Sequence, residues 1–316
     1  MVRIMPKIAV IGAGMAGLTC ARALGDHGLR PVIFDKGRGL GGRMATRRAE
    51  GGFQFDHGAQ YLTARSRGFA EMLAGAEAAG ALALWPEPRE RPAYVGIPGM
   101  TGLAKHIGEE LDIRKATRIQ RIVPEDGHWR LDWQDGSERF DRLVITAPAP
   151  QTAALLPEDH DFAEALHSVG MDPCLTLMVG LPTGADLPFV TRRAPEEDIS
   201  WIACDSAKPG RPDGPCVVAQ AGRGWSLRHL ELELDAIAER MLPLVREIIG
   251  KGATVDPPYL SAHRWRYGLV TSPLGQPYLR DGAKTLFAGG DWCLGAKAED
   301  AWTSGRAIAD ALIDGL

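Results

Sequence analysis

Near the start of the chain lies the most informative motif, Lys7-Ile-Ala-Val-Ile-Gly12-Ala-Gly14-Met-Ala-Gly17. Its apolar run predicts a buried β-strand, and three glycines at the spacing of a dinucleotide-binding loop follow at once. A helical pattern comes next, and then a second apolar strand that ends at Asp35. Three glycines alone would be weak support, but this order of strand, glycines, helix, strand and acid predicts a βαβ unit with a dinucleotide site.

Each part of this motif has its own physical role. Gly12 permits a tight turn, Gly14 lets a pyrophosphate approach the backbone, and Gly17 lets the helix pack closely on the strand. Asp35 can accept hydrogen bonds from an adenosine ribose, and the helix start supplies amides and partial positive charge for the phosphates. The cofactor contacts predicted in this motif are Gly12, Gly14, Met15, Ala16, Gly17, Asp35 and Lys36.

The composition limits the class of protein. With 316 residues, of which 45% are hydrophobic and 24% charged, the chain can form one large domain or two joined domains. A net charge of −4 and the lack of a basic run give no reason to expect a nucleic-acid partner. The first apolar run is interrupted by glycines, and no stretch approaches the ~18 apolar residues of a membrane span. We therefore expect neither a secretion signal nor a membrane partner.

The cysteines point to a reducing compartment. There are five, an odd number, and none forms a C-x-x-C pair: Cys20, Cys174, Cys204, Cys216 and Cys293. Such scattered thiols favour reduced cysteines over a disulfide framework or a zinc site. We expect a cytoplasmic protein without a metal centre.

A second glycine-rich loop distinguishes FAD from NAD. Gly37-Arg-Gly-Leu-Gly-Gly42-Arg43-Met44 follows Asp35, and an NAD enzyme has no obvious use for it. The longer, bent pyrophosphate of FAD can use both an arginine and a close approach of the backbone. A flexible surface turn is the alternative, but only glycine can shape a loop this tightly. The loop predicts FAD contacts at Gly42, Arg43 and Met44.

The C-terminal part of the chain carries a matching motif. Thr285-Leu-Phe-Ala-Gly289-Gly290-Asp291 predicts a short strand followed by glycines and an acid, and residues 298–312 predict a helix. The acid can accept hydrogen bonds from ribityl hydroxyls, and the helix start can stabilise negative charge on a flavin ring. A helix that merely closes the sheet is the alternative, but it leaves the Gly-Gly-Asp sequence unexplained. The predicted contacts are Gly290, Asp291, Ala298, Glu299, Asp300 and Ala301.

Taken together, these motifs resemble the flavin-containing amine oxidase superfamily. Three further stretches narrow the resemblance to the renalases, in particular to bacterial renalase-like proteins: Asp56-His-Gly-Ala-Gln60-Tyr61-Leu-Thr63, Val95-Gly-Ile-Pro98-Gly99-Met100 and His263-Arg-Trp265-Arg-Tyr267. The resemblance implies an α/β fold, with an FAD-binding Rossmann-like domain of the GR2 or amine-oxidase type and an interleaved α+β substrate domain.

The resemblance also implies a discontinuous FAD-binding domain. This domain would consist of residues 1–60, 98–155 and 279–316, and the substrate domain of residues 61–97 and 156–278. Some relatives bind flavin covalently through a cysteine upstream of the C-terminal motif, and no cysteine lies between Cys216 and Cys293, so we expect non-covalent FAD. The further contacts implied near the cofactor are Ala59, Gln60, Ile119, Thr146, Ala147 and Pro148.

Residues 261–268 predict a strand with two different faces. His263, Trp265 and Tyr267 would point to one face, and Arg264 and Arg266 to the other. The aromatic face could sandwich a flat nicotinamide or could be ordinary cross-strand packing, and the residues alone favour neither. The resemblance favours Trp265 and Tyr267 as pocket residues. The basic face could meet a substrate phosphate or pair with acids.

Gln60 and Tyr61 follow Gly58-Ala59, at the point where the chain leaves the predicted FAD domain. Their polar groups could meet a nicotinamide carboxamide or the flavin edge, and structural hydrogen bonding is the alternative. We predict Gln60, Tyr61, Trp265 and Tyr267 as the catalytic-site residues. The sequence shows no Ser-His-Asp set, carboxylate dyad or metal cluster, and hydride transfer to a flavin requires none of them.

These observations predict an FAD-dependent oxidase. The resemblance implies that it oxidises isomeric dihydronicotinamide dinucleotides, misformed NADH and NADPH with the hydride on the wrong ring carbon, and that dioxygen is reduced to hydrogen peroxide. A flavin-containing amine oxidase acting on a primary or secondary amine is the alternative. A non-enzymatic binding module on the same fold is a further alternative, and the presence of both Asp35 and Asp291 argues against it.

Overall fold

The structure is a computed structural model, and it describes residues 5–86, 90–185, 187–250 and 256–315. Its strands, in chain order, are β1 (Ile8–Ile11), β2 (Val32–Phe34), β3 (Thr46–Arg48), β4 (Gln54–Asp56), β5 (Leu82–Trp85), β6 (Ala93–Gly96), β7 (Asp112–Arg114), β8 (Arg121–Glu125), β9 (His128–Trp133), β10 (Gly136–Phe140), β11 (Arg142–Ile145), β12 (Gly170–Gly180), β13 (Thr191–Arg193), β14 (Ile199–Cys204), β15 (Cys216–Ala221), β16 (Tyr259–Ser272), β17 (Leu279–Arg280) and β18 (Leu286–Ala288). Its helices are α1 (Met15–Asp26), α2 (Arg67–Ala78), α3 (Thr101–Ile107), α4 (Ala149–Ala153), α5 (Ala163–Ser168), α6 (Arg223–Arg228), α7 (Leu234–Ile249) and α8 (Ala298–Asp314). Within the described ranges, no helix has the length and apolar character needed to cross a membrane.

The chain forms two compact units. Their bounds are Met1–Gly42, Ala104–Met171 and Val270–Leu316 for unit 1, and Arg43–Leu103 and Asp172–Leu269 for unit 2. These bounds differ from the domain boundaries that we predicted. Residues 43–60 belong to unit 2 because β3 and β4 pair as a hairpin and Phe53 and Phe55 are buried with Met178 and Val218. Which unit serves the cofactor and which the substrate remains a prediction.

Unit 1 is built on a six-stranded sheet in the order β17-β18-β11-β1-β2-β7. Neighbouring strands are parallel, except that β17 is antiparallel to β18. Strands β1, β2, β11 and β18 are buried almost throughout, as expected for a parallel sheet covered on both faces. An antiparallel sheet of β8, β9 and β10 adds Leu131 and Phe140 to the same core. The predicted α/β fold class is confirmed.

Helices α1 and α8 pack together in unit 1 at a point that only glycine permits. A Cβ atom on Gly305 of α8 would lie 2.2 Å from the carbonyl oxygen of Ala16 in α1. Further along α8, Ile308 and Leu312 are buried in the usual apolar way. Glycine therefore sets how closely α8 approaches the start of α1.

Unit 2 is built on a five-stranded sheet in the order β13-β14-β15-β12-β16. Helix α7 buries Ile237 and Met241 at helical spacing in the same core as Leu177 and Val217 of the sheet. The helix continues through Pro243 instead of ending there. The antiparallel pairs β3-β4 and β5-β6 complete the unit.

Candidate functional site

The glycine motifs of unit 1 follow the carboxyl ends of adjacent parallel strands. Ile11 of β1 pairs with Phe34 of β2 and with Ile145 of β11, which in turn pairs with Ala288 of β18. In open α/β sheets, ligands bind at this edge. The structure thereby brings together predicted site residues from three separate stretches of the chain. The residues directly after the four strand ends are Gly12, Asp35, Thr146 and Gly289.

The first glycine loop leaves no room for side chains at two positions. Gly12 has a φ of +108°, and its N–H donates to the Phe34 carbonyl oxygen at 2.8 Å. A Cβ atom on Gly17 would lie 2.0 Å from the Gly12 carbonyl oxygen, so α1 can begin this close to β1 only with glycine there. A Cβ atom on Gly14, by contrast, would meet nothing within 4 Å. Gly12 and Gly17 therefore shape the loop, and Gly14 borders open space of the kind that a pyrophosphate needs.

The start of α1 is suited to an anion. Gly14 is the N-cap residue and has no side chain to cap the helix, and the first turn carries no acidic residue. The amides of this turn and the helix dipole favour a negatively charged group at this position. A phosphate group is the natural ligand for such a helix start.

Asp35 ties the two glycine-rich loops together. Its Oδ2 atom accepts a hydrogen bond from the N–H of Ala13 at 2.6 Å, and its Oδ1 atom accepts one from the N–H of Gly37 at 2.6 Å. A carboxylate has about four acceptor positions, so those that remain can accept ribose hydroxyls. Asp35 thus has a structural role besides the predicted one. Its neighbour Lys36 is exposed and donates to the side-chain oxygen of Gln151 at 2.9 Å.

The second glycine-rich loop lies against the first. The N–H of Gly41 donates to the Ala13 carbonyl oxygen at 2.9 Å, and both Gly41 and Gly42 have a positive φ, +100° and +53°. A Cβ atom on Gly42 would lie 3.6 Å from the Cα atom of Gly14. The two loops therefore form one continuous backbone surface in unit 1.

A buried serine that no sequence motif indicated fixes the C-terminal glycines. Ser304 of α8 accepts from the N–H of Gly290 at 2.9 Å and donates to the Pro277 carbonyl oxygen at 2.7 Å. A Cβ atom on Gly289 would lie 2.5 Å from the Ser304 hydroxyl oxygen. Asp291 follows these glycines and is 6% exposed. The one sequence feature that could have indicated this role is the position of Ser304, a polar residue on the apolar side of the predicted helix.

Two buried carboxylates lie at the start of α8. Asp300 accepts from the N–H of Lys297 at 3.0 Å, and Glu299 and Asp300 are only 3% and 6% exposed. Acidic groups in a first turn offset the positive end of a helix. It remains a prediction that the turn from Ala298 to Ala301 stabilises negative charge on a flavin. The two acidic side chains of this turn would weaken such an effect.

The other predicted cofactor residues divide between the units. In unit 1, Thr146 donates to the backbone oxygen at the end of β1 at 2.9 Å, and Ile119 is buried in the core. In unit 2, Met44 is buried, and the N–H of Ala59 donates to the carbonyl oxygen of Arg43 at 2.8 Å. Two further predicted residues also lie in unit 1. The carbonyl oxygen of Ala147 accepts from the indole N–H of Trp292 at 3.0 Å, and Pro148 directly precedes α4.

The residues of unit 1 fit a dinucleotide cofactor. The space beside Gly14 and the uncapped start of α1 suit a diphosphate, and Asp35 keeps acceptor capacity for ribose hydroxyls. Asp291 offers a second carboxylate at another strand end of the same sheet edge. This combination of backbone space and two separate acids fits FAD.

In unit 2, His263 and Trp265 of β16 share one face, as predicted. The rings of His263 and Trp265 have centroids 4.2 Å apart, and Tyr259 stacks on Phe55 at 5.1 Å. His57 stacks on Trp265 at 5.2 Å, and the Trp265 indole N–H donates to the His57 carbonyl oxygen at 2.8 Å. These contacts agree with the second interpretation of the aromatic face, in which Trp265 packs against residues of neighbouring segments. Its contact with a substrate remains a prediction.

Tyr267 and Tyr61 keep part of their rings exposed. Tyr267 is half-buried, and its ring contacts no other aromatic ring among the residues that the structure describes. Tyr61 is also half-buried, and its ring lies 6.3 Å from Trp85 and 5.8 Å from Trp201, which are both buried. Like Trp265, which is also half-buried, these two residues retain ring surface that a ligand can contact.

The side-chain amide of Gln60 is used within unit 2. Its nitrogen donates to the carbonyl oxygens of Asp56 at 2.5 Å and Gly58 at 3.1 Å, and its oxygen accepts from Lys208 at 3.2 Å. The residue is 6% exposed. These contacts support the structural alternative for Gln60, and a contact with the nicotinamide or flavin remains a prediction.

Gln60 contacts a buried cluster of charged side chains that the sequence did not predict. Asp56, Asp205 and Lys208 have no exposed side-chain surface, and Arg211 has 1%. Arg211 pairs with Asp56 at 2.5 Å, and Lys208 lies 2.5 Å from Asp205 and 3.5 Å from Asp56. Asp56 and Asp205 are 149 residues apart in sequence, yet the backbone N–H of Asp56 donates a hydrogen bond to the Oδ2 atom of Asp205 at 2.8 Å. Two acids and two bases give the cluster a balanced charge.

The two acids of the cluster have different proton affinities. Burial alone would raise the pKa of Asp56, but the charges of Lys208 and Arg211 and the N–H of Met100 hold it below its usual value. Burial raises the pKa of Asp205 above its usual value, against the opposing charge of Lys208. Asp56 faces two cations and Asp205 one, which accounts for the difference.

The two histidines on the β16 face are neutral at physiological pH. Burial lowers the pKa of His57 to about 3, and the charges of His263 and Arg47 add to this effect. Burial also lowers the pKa of His263 to about 4, again with a contribution from Arg47. The face therefore presents uncharged imidazoles beside its aromatic rings.

These pKa values predict that the protein loses stability as the pH falls below about 6.5. The unfolded chain binds protons at both histidines in this range, whereas the folded chain does not. For His57, the loss at about pH 5 is about 2 kcal/mol. Urea unfolding across this range should show a smaller loss for His57→Asn than for the wild type. His167→Asn, at an exposed position, is the matched control and should keep the wild-type slope. An unchanged slope in His57→Asn would contradict the assignment.

The two arginines on the other face of β16 are already engaged. Arg266 pairs with Glu231 at 2.6 Å, and Arg264 donates to the Leu232 carbonyl oxygen. Of the two interpretations offered by the sequence, the structure shows pairing with an acid for Arg266. Arg266 therefore does not need a substrate phosphate to neutralise its charge, whereas the buried Nε of Arg264 has no hydrogen-bond partner among the described residues.

Comparison with known families agrees with this architecture. Residues 10–76 match the NAD(P)-binding Rossmann-like domain, and residues 77–313 match the flavin containing amine oxidoreductase family. Since the second match covers most of the chain, the protein belongs to the family of flavin-containing amine oxidoreductases. The prediction that it is a flavin-dependent oxidoreductase is confirmed at that level.

Solved structures share the fold at low sequence identity. A proposed protoporphyrinogen oxidase from Exiguobacterium sp. 255-15 is similar with a TM-score of 0.78 and 16% identity, over 98% of this chain and 99% of that one. A redesigned putrescine oxidase is similar with a TM-score of 0.76 and 11% identity, over 98% and 99% of the two chains. At these identities the likeness concerns the fold alone.

Curated relatives match over a short stretch only. The 15-cis-phytoene desaturase of Synechococcus elongatus is 38% identical over 52 residues, which are 16% of this chain and 11% of the desaturase. The match thus spans about a tenth of that relative. It therefore carries no argument about the substrate.

Proposed function

We propose that this flavin-dependent oxidoreductase oxidises isomeric dihydronicotinamide dinucleotides, the activity implied by its resemblance to the renalases. The observation that carries the proposal is the ring-lined face of β16. It combines Trp265 with the two neutral imidazoles of His57 and His263, and the half-buried Tyr267 follows Trp265 by two residues on the same strand. A flat, uncharged dihydropyridine ring suits such a surface.

The proposal includes FAD bound without a covalent link. The glycine loops and acids of unit 1 would hold the pyrophosphate, ribose and ribityl groups. Cys293, the cysteine beside the C-terminal glycine motif, is 0% exposed, and burial raises its pKa to about 12. A buried thiol held in its protonated form is a poor nucleophile, which supports non-covalent binding.

When bound, FAD supplies a hydride acceptor, so that a dihydronicotinamide, one proton and dioxygen are converted to a nicotinamide cation and hydrogen peroxide. The residues of the chain have the tasks of binding and orientation. Tyr267 and Tyr61 would contact the substrate, and His57 and His263 would keep their part of the face free of charge. Because the donor gives up a hydride, no side chain has to remove a proton from it.

A primary or secondary amine is the second candidate substrate. The family to which the chain belongs is described as an amine oxidoreductase family, and this favours an amine as directly as it favours any other donor. The flavin site proposed in unit 1 serves both substrates equally. The two functions therefore have to be separated by the reducing substrate.

We expect isomeric dihydronicotinamide dinucleotides to bleach the flavin of the anaerobic holoprotein rapidly, and NADH and simple amines to do so slowly. A hydride donor must bring one ring carbon to about 3–3.5 Å from the acceptor atom, and NADH in the same orientation presents a different carbon. Stopped-flow absorbance of the flavin measures each rate. Tyr267→Ala should slow the reduction while FAD stays bound, and Tyr267→Phe, which keeps the ring, is the matched control.

The outcomes of this experiment separate the candidates. Rapid bleaching by an amine, with no response to the isomers, would favour the amine oxidase. Colourless protein that cannot be reconstituted with FAD would contradict both. Equal rates in Tyr267→Ala and the wild type would remove Tyr267 from the substrate site.

A further inference from the structure

We propose that Arg47 binds an anionic group of the substrate, namely a phosphate attached to the dihydronicotinamide riboside. This inference rests on the proposed function, because it concerns the substrate that the β16 face would bind. It assigns the phosphate contact to a different residue from those that the sequence pattern suggested, Arg264 and Arg266.

The position of Arg47 is the first argument. Arg47 lies on β3, and its guanidinium donates to the hydroxyl of Ser261 at 2.9 Å. Ser261 belongs to β16 and precedes His263 by two residues, so the two side chains point to the same face of the strand. The guanidinium therefore lies near His263, on the face that presents the rings of His263 and Trp265.

The missing counter-ion is the second argument. Arg47 is half-buried, and within the part of the chain that the structure describes no carboxylate lies within ion-pair distance of it. Several other arginines of unit 2 do have such a partner, among them Arg211 with Asp56, Arg223 with Asp172 and Arg266 with Glu231. Removing a cation from water without an anion is costly, so a half-buried guanidinium without an acid favours an anionic ligand.

The surrounding charges are the third argument. His57 and His263 face Arg47, and both are neutral because their pKa values are low. The nearby carboxylate of Asp56 is taken up by Arg211 and Lys208. The electrostatic potential beside Ser261 is therefore positive, which favours an anion and disfavours a protonated amine.

The chemistry of arginine suits a phosphate. Its planar guanidinium has five N–H donors and can bind two phosphate oxygens at once. The Ser261 hydroxyl accounts for one donor, so others remain for a ligand. Lysine would supply the charge without this paired geometry.

The test compares two reducing substrates that differ by one phosphate. They are the isomeric dihydronicotinamide mononucleotide and the corresponding riboside, mixed anaerobically with the holoprotein. In the wild type, the mononucleotide should show an apparent Kd about 10-fold or more below that of the riboside. Arg47→Met should abolish this preference while the limiting rate of flavin reduction changes little, and Arg47→Lys should retain part of it.

Arg48→Met is the matched control, since Arg48 is the exposed neighbour on the same strand. It should keep the wild-type preference. Flavin content and melting temperature of each variant show whether it has folded. A preference for the mononucleotide that survives in folded Arg47→Met overturns the inference.

A second measurement does not depend on turnover. Inorganic pyrophosphate is titrated calorimetrically into the oxidised holoprotein, in which FAD already fills its own pyrophosphate site. Binding by the wild type that weakens about 10-fold in Arg47→Met supports the inference even if no isomer reduces the flavin. Equal binding by both proteins, or no binding by the wild type, overturns it. A wild type that binds pyrophosphate but is bleached by no isomer contradicts the proposed function alone.

Discussion

Replacing Lys208 by methionine is expected to lower the free energy of unfolding by about 3–5 kcal/mol. The change leaves two buried carboxylates, Asp56 and Asp205, with Arg211 as the single remaining cation of the cluster. An unpaired buried charge costs far more than a lost surface ion pair. The Lys208→Met substitution also removes the ammonium group that donates to the side-chain oxygen of Gln60, so the segment that leads to Tyr61 loses one of its fixed contacts. Urea unfolding of the holoprotein at neutral pH measures the loss.

A double variant distinguishes charge balance from packing. Lys208→Met combined with Asp205→Asn removes one charge of each sign and should recover much of the lost stability. Arg67→Met is a suitable surface control, because Arg67 pairs with Glu71 in a strongly exposed ion pair. This control should change the stability by less than about 1 kcal/mol. If Lys208→Met were no worse than the control, the cluster would have no structural importance.

Alanine at Gly17 should destabilise the apoprotein, whereas alanine at Gly14 should leave its stability unchanged. At Gly17 the new Cβ atom would lie 2.0 Å from a backbone carbonyl oxygen, so the loop has to move, at a cost of about 1–3 kcal/mol or more. At Gly14 the new atom would meet nothing within 4 Å, so the apoprotein should keep its stability. Melting temperatures of the two apoproteins measure this contrast.

Both variants should bind FAD more weakly, for different reasons. Gly17→Ala displaces the amides that would contact the phosphates, and each such charge-assisted contact is worth about 1.5–3 kcal/mol, or roughly 10-fold to 100-fold in Kd. Gly14→Ala fills the space that the pyrophosphate would occupy. Fluorescence titration of apoprotein with FAD gives both values. Wild-type affinity in Gly14→Ala would show that the pyrophosphate does not lie beside this residue.

The glycine motifs illustrate how much a sequence can predict. Their constraints are local: Gly12 needs a positive φ, and Gly17 has no space for a Cβ atom only a few residues further along the chain. The alternation along β16 is equally local, and it correctly placed His263 and Trp265 on one face. Features that depend on short spacing and on the identity of a single residue could therefore be predicted.

The choice of partner could not be predicted, because it depends on residues that are distant in sequence. Nothing local in Gln60 indicates that Lys208 donates to its side-chain oxygen, a contact that supports the structural alternative for this residue. The same applies to Arg266, whose acidic partner is Glu231. In each case two interpretations fitted the sequence, and a contact from another element favoured one of them.

The α/β fold class and the glycine motif of a dinucleotide site could be predicted from the residues alone, because glycine geometry and apolar periodicity act over a few residues. Which charged side chains are neutralised within the protein became clear only from the folded chain. Asp56 and Asp205, 149 residues apart, share a buried cluster with Lys208 and Arg211, whereas no carboxylate in the described part of the chain lies within ion-pair distance of Arg47 on β3. The physical reason is that the energy of a buried charge depends on the groups that folding places around it, and these groups come from remote parts of the chain.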